Sequence, residues 1–372
     1  VLEVLKKGLY LVVALLLLVG CVVAYVLSWT EFGGSVDEDG RLRMVRSAQY
    51  VQEADAFGNT PSPPGWDIGV NLDEIMGDQT REPPGPFPIV QLAFADPPPA
   101  GLHAVWFGHA TVLVEIDGKR VMFDPMLSEG AFPVKMVAPR RFNPPPVSMD
   151  DLPTIDIVTV SHDHFDHLDM ATVQHLAARG THFFVGLGIG AHLKAWNVAS
   201  EQIHELDWWE SAEHAGLTVH CTPARHYSGR TAMDNSTLWA SWVIEGVEHR
   251  VFHSGDTGYG PHFKTIGERR GPIDLSLIKI GDYGNDAAWE SVHMVPEDSL
   301  RAHVDLGANT LLPIHWGTFQ LSYHDWDEPI RRATQAAAQN GAQMVTPRLG
   351  EVFSLGEPFE SDAWWETIGV RN

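Results

Sequence analysis

Only two cysteines, Cys21 and Cys221, occur in 372 residues, so no disulfide framework staples this chain. Cys21 lies inside an apolar run and Cys221 in the strand-like segment Leu217–Thr222, settings too unlike to suggest a pair. With Leu217 and Val219 beside it, Cys221 reads as a small core residue. Basic residues are scarce too: 25 Lys and Arg stand against 48 Asp and Glu, a formal net charge of −23. Lys6 and Lys7 against Glu3 leave the first 29 residues at +1, so the remainder carries −24. A field of that sign repels a polyanion at long range and argues against a nucleic-acid partner. An anionic substrate then needs local help from metal ions or a few arginines. No internal repeat is evident. Apolar residues are not in deficit: 44% hydrophobic and 20% charged is the composition of a folded protein, long enough for one large domain or two ordinary ones.

What is present begins with an uncharged run, Gly8–Trp29, long enough for a bilayer crossing of ~20 residues. Tyr10 and Trp29 lie near its ends, where interfacial aromatics are expected. Lys6 and Lys7 precede it, whereas Glu31 and Asp37-Glu38-Asp39 follow. The positive-inside rule therefore favours a cytoplasmic N-terminus and a single-pass membrane protein with its main domain on the outer side, with Arg41, Arg43 and Arg46 counting against. A cleaved signal peptide would have a shorter apolar core and small residues at the cut. Leu18-Val19-Gly20-Cys21 also resembles a bacterial lipoprotein box, which would make Cys21 a lipidated residue. The apolar continuation Val22–Leu27 favours the spanning helix.

Residues 31–100 read as a proline-rich linker or arm, with Pro61, Pro63, Pro64, Pro83, Pro84, Pro86, Pro88 and Pro97–Pro99 opposing both helix and central strand. Within it, Leu42–Phe57 has helical character. The texture changes near His103. His103–Phe107, Thr111–Ile116 and Arg120–Asp124 are β-rich, the last two joined by the hairpin signal Asp117-Gly118. Ile155–Ser161 is a short, strongly apolar run, as a strand buried on both faces should be, and Leu168–Arg179 has helical periodicity stopped by Gly180. Further strands are expected over His182–Val185, Leu217–Thr222, Leu238–Glu245, Arg250–Ser254, Leu275–Ile280, Thr310–Ile314, Gln343–Thr346 and Glu351–Leu355. Helices are expected over Ala191–Trp196, Pro296–Leu306 and Glu328–Asn340. The expectation is an α/β fold of two sheets with helices outside them.

Directly after the buried strand stands His162-Asp163-His164-Phe165-Asp166-His167. A strand end followed by a helix start holds a short loop rigidly, and its alternating side chains can converge on one point. Imidazole nitrogens and a carboxylate are what zinc takes in a catalytic site, and chance seldom places them so.

This H-x-H-x-D-H pattern is followed by a lone His226, by Asp256 in Ser254-Gly255-Asp256-Thr257-Gly258, and by His315 at a strand end. Together they resemble the metallo-β-lactamase superfamily. The resemblance implies an αβ/βα four-layer sandwich over residues 101–372; the apolar run makes residues 1–30 a transmembrane anchor before it. It implies one zinc on His162, His164 and His226, a second on Asp166, His167 and His315, and Asp256 bridging them. His/Asp sites also accept iron or manganese. A closer likeness, to the N-acyl-phosphatidylethanolamine-hydrolysing phospholipase D family and its bacterial relatives, is carried by several segments between about residues 103 and 320. These are Gly108-His109-Ala110-Thr111, Asp124-Pro125, Pro139-Arg140-Arg141-Phe142 with Pro144–Pro146, Leu206-Asp207-Trp208-Trp209-Glu210, Gly255–Tyr259 and His315–Phe319. The family often has Tyr where Phe165 stands, and the spanning helix is not part of the familiar enzyme.

The likeness implies a binuclear zinc phosphodiesterase acting at a membrane on a phospholipid, with Asp166 and Asp256 in the catalytic centre. A lactonase or other small-ester hydrolase of the same superfamily is the enzymatic alternative; a non-catalytic, membrane-tethered scaffold is the other. Asp124 is a candidate acceptor for a ligand histidine. Arg230 is a candidate phosphate contact or a surface salt bridge, and His293, just before a helix at a position resembling one near the family's active site, a candidate proton donor or leaving-group contact. Trp208 and Trp209 read as packing residues. His175, His182, His192, His204 and His214 read as ordinary surface or core histidines.

Overall fold

Strand alternation sorts the core into two faces. In β3 (Leu102–Gly108) and β4 (Thr111–Ile116), Ala104, Trp106, Val112 and Val114 point to one side, and Val105, Phe107 and Leu113 to the other. In the computed structural model, which describes residues 2–59, 62, 80–231, 233–284 and 286–369, both sides are buried. The remaining strands are β1 (Tyr50–Val51), β2 (Ala56–Phe57), β5 (Lys119–Phe123), β6 (Ile157–Val160), β7 (His182–Gly186), β8 (Ile203–Leu206), β9 (Ser211–His214), β10 (Leu217–Thr222), β11 (Ser241–Glu245), β12 (Arg250–His253), β13 (Ile273–Lys279), β14 (Ala308–Ile314), β15 (Gln343–Met344) and β16 (Val352–Ser354).

They form two seven-stranded sheets, ordered β16-β3-β4-β5-β6-β7-β8 and β15-β14-β13-β12-β11-β10-β9. Each sheet runs antiparallel through its meander and parallel thereafter: β5-β6-β7-β8 in the first, β12-β13-β14-β15 in the second. The inner faces meet through Trp106, Val112, Phe123, Val219, Cys221 and Trp242, and Trp242 Nε1 donates to Val160 O across the interface (3.1 Å). Helices Met170–Ala177 and Gly190–Ala195 cover the first sheet's outer face through Val173, Leu176 and Leu193. His262–Arg270, Pro296–Leu306 and Glu328–Asn340 cover the second through Phe263, Leu300 and Ala333. The expected αβ/βα four-layer sandwich is the observed one. The Asp117-Gly118 hairpin has the two positive φ angles that its tight turn demands (49° and 79°). Both cysteines are free, and Cys221 is a core residue.

The register places the ends of β3, β5, β6, β10, β12 and β14 at one end of the sandwich, because Gly108 pairs with Thr111, Val112 with Phe123, Thr222 with Ser241 and Trp242 with His253. The chain turns sharply there. His109, Asp124 and His315 each directly follow a strand and all have positive φ (53°, 41° and 63°), a conformation that costs a non-glycine residue of order 1–3 kcal/mol.

Residues 2–27 form one helix whose segment Lys6–Leu27 is apolar and wholly exposed (mean hydropathy 2.8), the one helix among the described residues long and apolar enough to cross a membrane. The segment after it packs against the sandwich. Thr30 O accepts from Trp196 Nε1 (2.6 Å), Arg43 pairs with Glu210 (2.8 Å), Ser47 Oγ donates to Asp207 (3.0 Å) and Asn59 Nδ2 donates to His226 O (2.7 Å). The helical character expected over Leu42–Phe57 is corrected: the helix is Glu38–Met44, capped by Asp37, and a small β1–β2 hairpin follows, turning at Asp55 (φ 52°). Among the arm's prolines, Pro61, Pro63 and Pro64 lie outside the described residues.

Candidate metal centre

Seven side chains from the two sheets meet at that end. His162 follows β6 after one residue, and the loop to helix Met170–Ala177 supplies His164, Asp166 and His167. His226 follows β10, Asp256 follows β12 and His315 follows β14. Two glycines let the Asp256 loop sit where it does. A Cβ on Gly255 would lie 2.3 Å from Ser161 Cβ, and one on Gly258 would lie 1.9 Å from Ser291 O.

The ligand atoms fall into two sets. His162 Nε2 lies 2.8 Å and His226 Nε2 3.3 Å from His164 Nδ1. In the second set, Asp166 Oδ2 lies 3.3 Å from His167 Nε2 and 3.6 Å from His315 Nε2, which are 3.2 Å from each other. The Asp256 carboxylate touches both sets: Oδ1 is 3.1 Å from His315 Nε2, and Oδ2 is 3.4 Å from His167 Nε2 and 3.8 Å from His226 Nε2. A tetrahedral zinc with bonds of 2.0–2.1 Å sets nitrogen ligands about 3.3 Å apart. The site thus brings together the seven residues expected to bind metal.

The chemistry of the donor set fits a pair of cations. Ring nitrogens crowd one another at 2.8 to 3.3 Å, and buried Asp256 Oδ1 makes no hydrogen bond among the described residues. Three of the outer nitrogens have partners, whereas buried His315 Nδ1 makes no hydrogen bond among the described residues. His167 Nδ1 donates to Asp124 Oδ2 (2.7 Å). His162 Nδ1 is 2.9 Å from Ser161 Oγ, which itself donates to Asp124 (2.6 Å). His226 Nδ1 is 3.2 Å from Val292 O. Each of these bonds fixes the tautomer that leaves Nε2 free to ligate. Asp124, wholly buried, therefore orients His167 directly and His162 through Ser161, as one reading of the sequence expected.

The electrostatics agree. Burial pushes His162 and His226 well below the usual imidazole pKa, with neighbouring histidines adding to the effect, so both are unprotonated donors. For Asp256 burial alone would raise the pKa, but His315, Lys279 and His167 outweigh it and keep the group an anion. Burial would likewise lower His167, but Asp166, Asp256 and Asp124 outweigh it and raise its pKa well above normal, marking a position built to face positive charge.

Three neighbours escaped the sequence reading. His109 Nε2 is 2.8 Å from Asp166 Oδ2, with burial holding the ring neutral (pKa lowered to about 3). Its only signal was membership of Gly108-His109-Ala110-Thr111. Lys279, fully buried at the end of β13, places Nζ against His293 Nδ1 and 3.9 Å from Asp256 Oδ1. Asp282 lies 3.8 Å from His293 Nδ1, its pKa raised by burial to about 6. No motif marks Lys279 or Asp282.

His293 is beside the centre, 3.8 Å from Asp256 Oδ2 and edge-on to His226. Arg230 is a correction. Its guanidinium donates to three main-chain carbonyls, Glu31 O, Asp163 O and Leu168 O, and lies over the Phe165 ring at 4.0 Å. These contacts tie the arm to the metal loop instead of reaching toward a phosphate. Beside it a cavity of about 290 Å³ has an apolar wall of Phe132, Pro133, Phe165, Leu168 and Met170 and a charged one of Glu31, Glu129, Lys135, Arg140, Asp169 and Arg230. Phe32, five residues beyond the apolar helix, packs edge-on against both Phe132 and Phe165 (5.9 and 5.6 Å). Trp208 and Trp209 pack against the core, as expected.

Residues 119–316, which contain all seven ligand candidates, match the β-lactamase superfamily domain, and the chain belongs to that superfamily as a metal-dependent hydrolase of the metallo-β-lactamase fold. Solved structures of the same fold include Igni18, a metallo hydrolase of Ignicoccus hospitalis (TM-score 0.51, 22% identity, 70% of this chain and 99% of that one). A possible metal-dependent hydrolase of Veillonella parvula gives a TM-score of 0.56 at 19% identity, covering 68% and 99%. Among relatives, an uncharacterised protein of Mycobacterium tuberculosis is 44% identical over 295 residues, 78% of this chain and 79% of that protein. Within the superfamily the chain resembles N-acyl-phosphatidylethanolamine-hydrolysing phospholipase D: the Caenorhabditis elegans phospholipase D 1 of that name is 37% identical over 274 residues, 69% of this chain and 77% of the relative.

Proposed function

We propose that the chain is a membrane-anchored, binuclear zinc phosphodiesterase that cleaves N-acyl phosphatidylethanolamine or a closely related lipid in the manner of a phospholipase D. The observation that carries the lipid reading is the packing of Phe32, just past the exposed apolar helix, on Phe165 inside the metal loop. If Lys6–Leu27 spans a bilayer with its N-terminus in the cytoplasm, this contact holds the centre and the adjoining cavity close to the outer surface of that bilayer. The cavity's Phe132, Pro133, Phe165, Leu168 and Met170 suit an acyl chain.

His162, His164 and His226 would hold one ion, Asp166, His167 and His315 the other, with Asp256 between them. When bound, such a pair supplies a hydroxide nucleophile near neutral pH and neutralises charge on a phosphoryl oxygen, which a chain of net charge −23 otherwise lacks. The oxygen of water would join phosphorus as the bond from phosphorus to the N-acylethanolamine oxygen breaks, leaving phosphatidic acid and, once protonated, N-acylethanolamine. His293 serves as proton donor to the departing alkoxide: burial keeps its imidazole neutral, so the proton comes from Nε2–H. Lys279 Nζ, lying against Nδ1, passes one to the ring, with Asp282 3.8 Å from Nδ1.

The test uses the detergent-solubilised full chain, metal content being measured by elemental analysis. Zinc-loaded protein should release phosphatidic acid from the N-acylated lipid, and His164→Ala should abolish this. A full-rate His164→Ala enzyme, or turnover of lactones without any of the phosphodiester, would overturn the reading.

A further inference from the structure

A second convergence of imidazoles lies at the opposite end of the sandwich. His182 opens β7 and pairs with Ile157 at the start of β6, whereas the metal loop leaves the other end of β6. His204 lies in β8, opposite Phe184 in the parallel register, and His182 is two residues before Phe184, so the three share one face of the first sheet. His214 closes β9 in the second sheet, at the end of β10 remote from His226. Two strands of one sheet and one of the other therefore supply a histidine each, across the crossover where the chain passes between sheets.

One ring nitrogen from each histidine lies within 4.8 Å of the other two. His182 Nδ1 is 2.9 Å from His204 Nε2, the His214 ring stacks on His182 at 3.7 Å, and the His204 ring is braced against Phe184 at 4.4 Å. All three rings are half-buried, and among the described residues none bonds a carboxylate. Asp156 and Lys119 are the charged groups that act on His214. Burial, and then the neighbouring histidines, hold His204 and His214 below the usual imidazole pKa, so both offer free lone pairs at neutral pH. Nothing in the hydrolytic site uses these residues.

We infer that His182, His204 and His214 form a separate transition-metal site, taking Zn2+, Ni2+ or Cu2+ on three imidazoles with water completing the coordination. Imidazole is a preferred ligand of these ions, and a spacing near 3 Å is already set for the first pair. The half-exposed His214 ring closes the set by rotation about its side-chain bonds. A bound ion then ties β9 to β7 and β8, joining the sheets where only a short connection, residues 207–210, does so by covalent chain.

The inference is independent of the proposed lipid substrate. Full-length protein is saturated with Zn2+, freed of excess and assayed for bound metal beside His204→Ala, His214→Gln and the metal-centre variant His315→Ala. His204→Ala and His214→Gln should each bind one equivalent fewer than wild type while keeping wild-type hydrolytic activity. His315→Ala should lose activity and keep the separate equivalent. Cu2+ added to wild type should give an electron paramagnetic resonance spectrum with nitrogen hyperfine structure that both variants lack, and raise the Tm by a few degrees. Wild-type metal content and an unchanged Cu2+ spectrum in His214→Gln, a change on an exposed edge strand, would overturn it even if His204→Ala fails to fold.

Discussion

Replacing Asp124 with Asn perturbs the centre through a residue that never reaches a metal. Asp124 accepts from Ser161 N (2.7 Å), Ser161 Oγ (2.6 Å) and His167 Nδ1 (2.7 Å). An amide of the same shape cannot accept from all three. If its oxygen stays on Ser161 N, its NH2 faces His167 Nδ1 and turns it into an acceptor, which moves the proton to Nε2, the atom that must ligate. If the amide flips, its NH2 meets the Ser161 N–H donor, a buried clash worth about 1–3 kcal/mol of stability. Partners of ligating histidines commonly govern 10–100-fold in metal affinity, about 1.4–2.7 kcal/mol. Because Asp124 serves His167 directly and His162 through Ser161, Asp124→Asn should lie at the upper end and weaken both ions. The assay is zinc retention against a graded chelator series, with melts of the metal-free chains separating ligation from folding. Zinc affinity within twofold of wild type at both positions would refute the tautomer argument.

Lys279→Met removes a buried cation 3.9 Å from Asp256 Oδ1; metal release should slow roughly tenfold while kcat falls, since a nearby positive charge opposes metal but holds His293. Arg230→Met frees Glu31 O, so limited proteolysis over residues 28–59 should accelerate, while KM for a phosphodiester changes by less than twofold. His303, bonded to Ser276 Oγ (2.8 Å) and remote from the metal centre, has its pKa lowered by burial from 6.5 to about 4. Below pH 6.5 the unfolded chain takes a proton that the folded chain refuses, so stability is lost as pH falls from about 6.5 to about 4. His303→Gln should flatten that slope in denaturant titrations, by about 1–3 kcal/mol across the window.

The sequence disclosed what is local. His162 to His167 sit in one loop between a buried strand and a helix, and their chemistry shows in the spacing alone. His226, Asp256 and His315 came from their surrounding segments, because their convergence depends on strand order that no short window contains. Lys279 and Asp282 stayed hidden for the same reason: each is a lone residue at a strand end. Arg230 was misread because its partners are distant in the chain: Glu31 of the docked arm lies 199 residues away, and Asp163 and Leu168 of the metal loop lie 67 and 62 away. The strands of the sandwich that were overlooked, β8 and β9, are edge strands whose residues, Leu206 apart, are exposed or half-buried, so apolar alternation barely marks them. They carry His204 and His214, which is why that cluster looked like ordinary surface.

The most direct measurement of the central claim is hydrolysis of N-acyl phosphatidylethanolamine in H2(18O) by the zinc-loaded full chain, with both products weighed by mass spectrometry. Attack at phosphorus by water oxygen predicts one 18O in phosphatidic acid and none in the N-acylethanolamine. Label in the N-acylethanolamine, or no turnover by protein carrying both ions, would contradict the account.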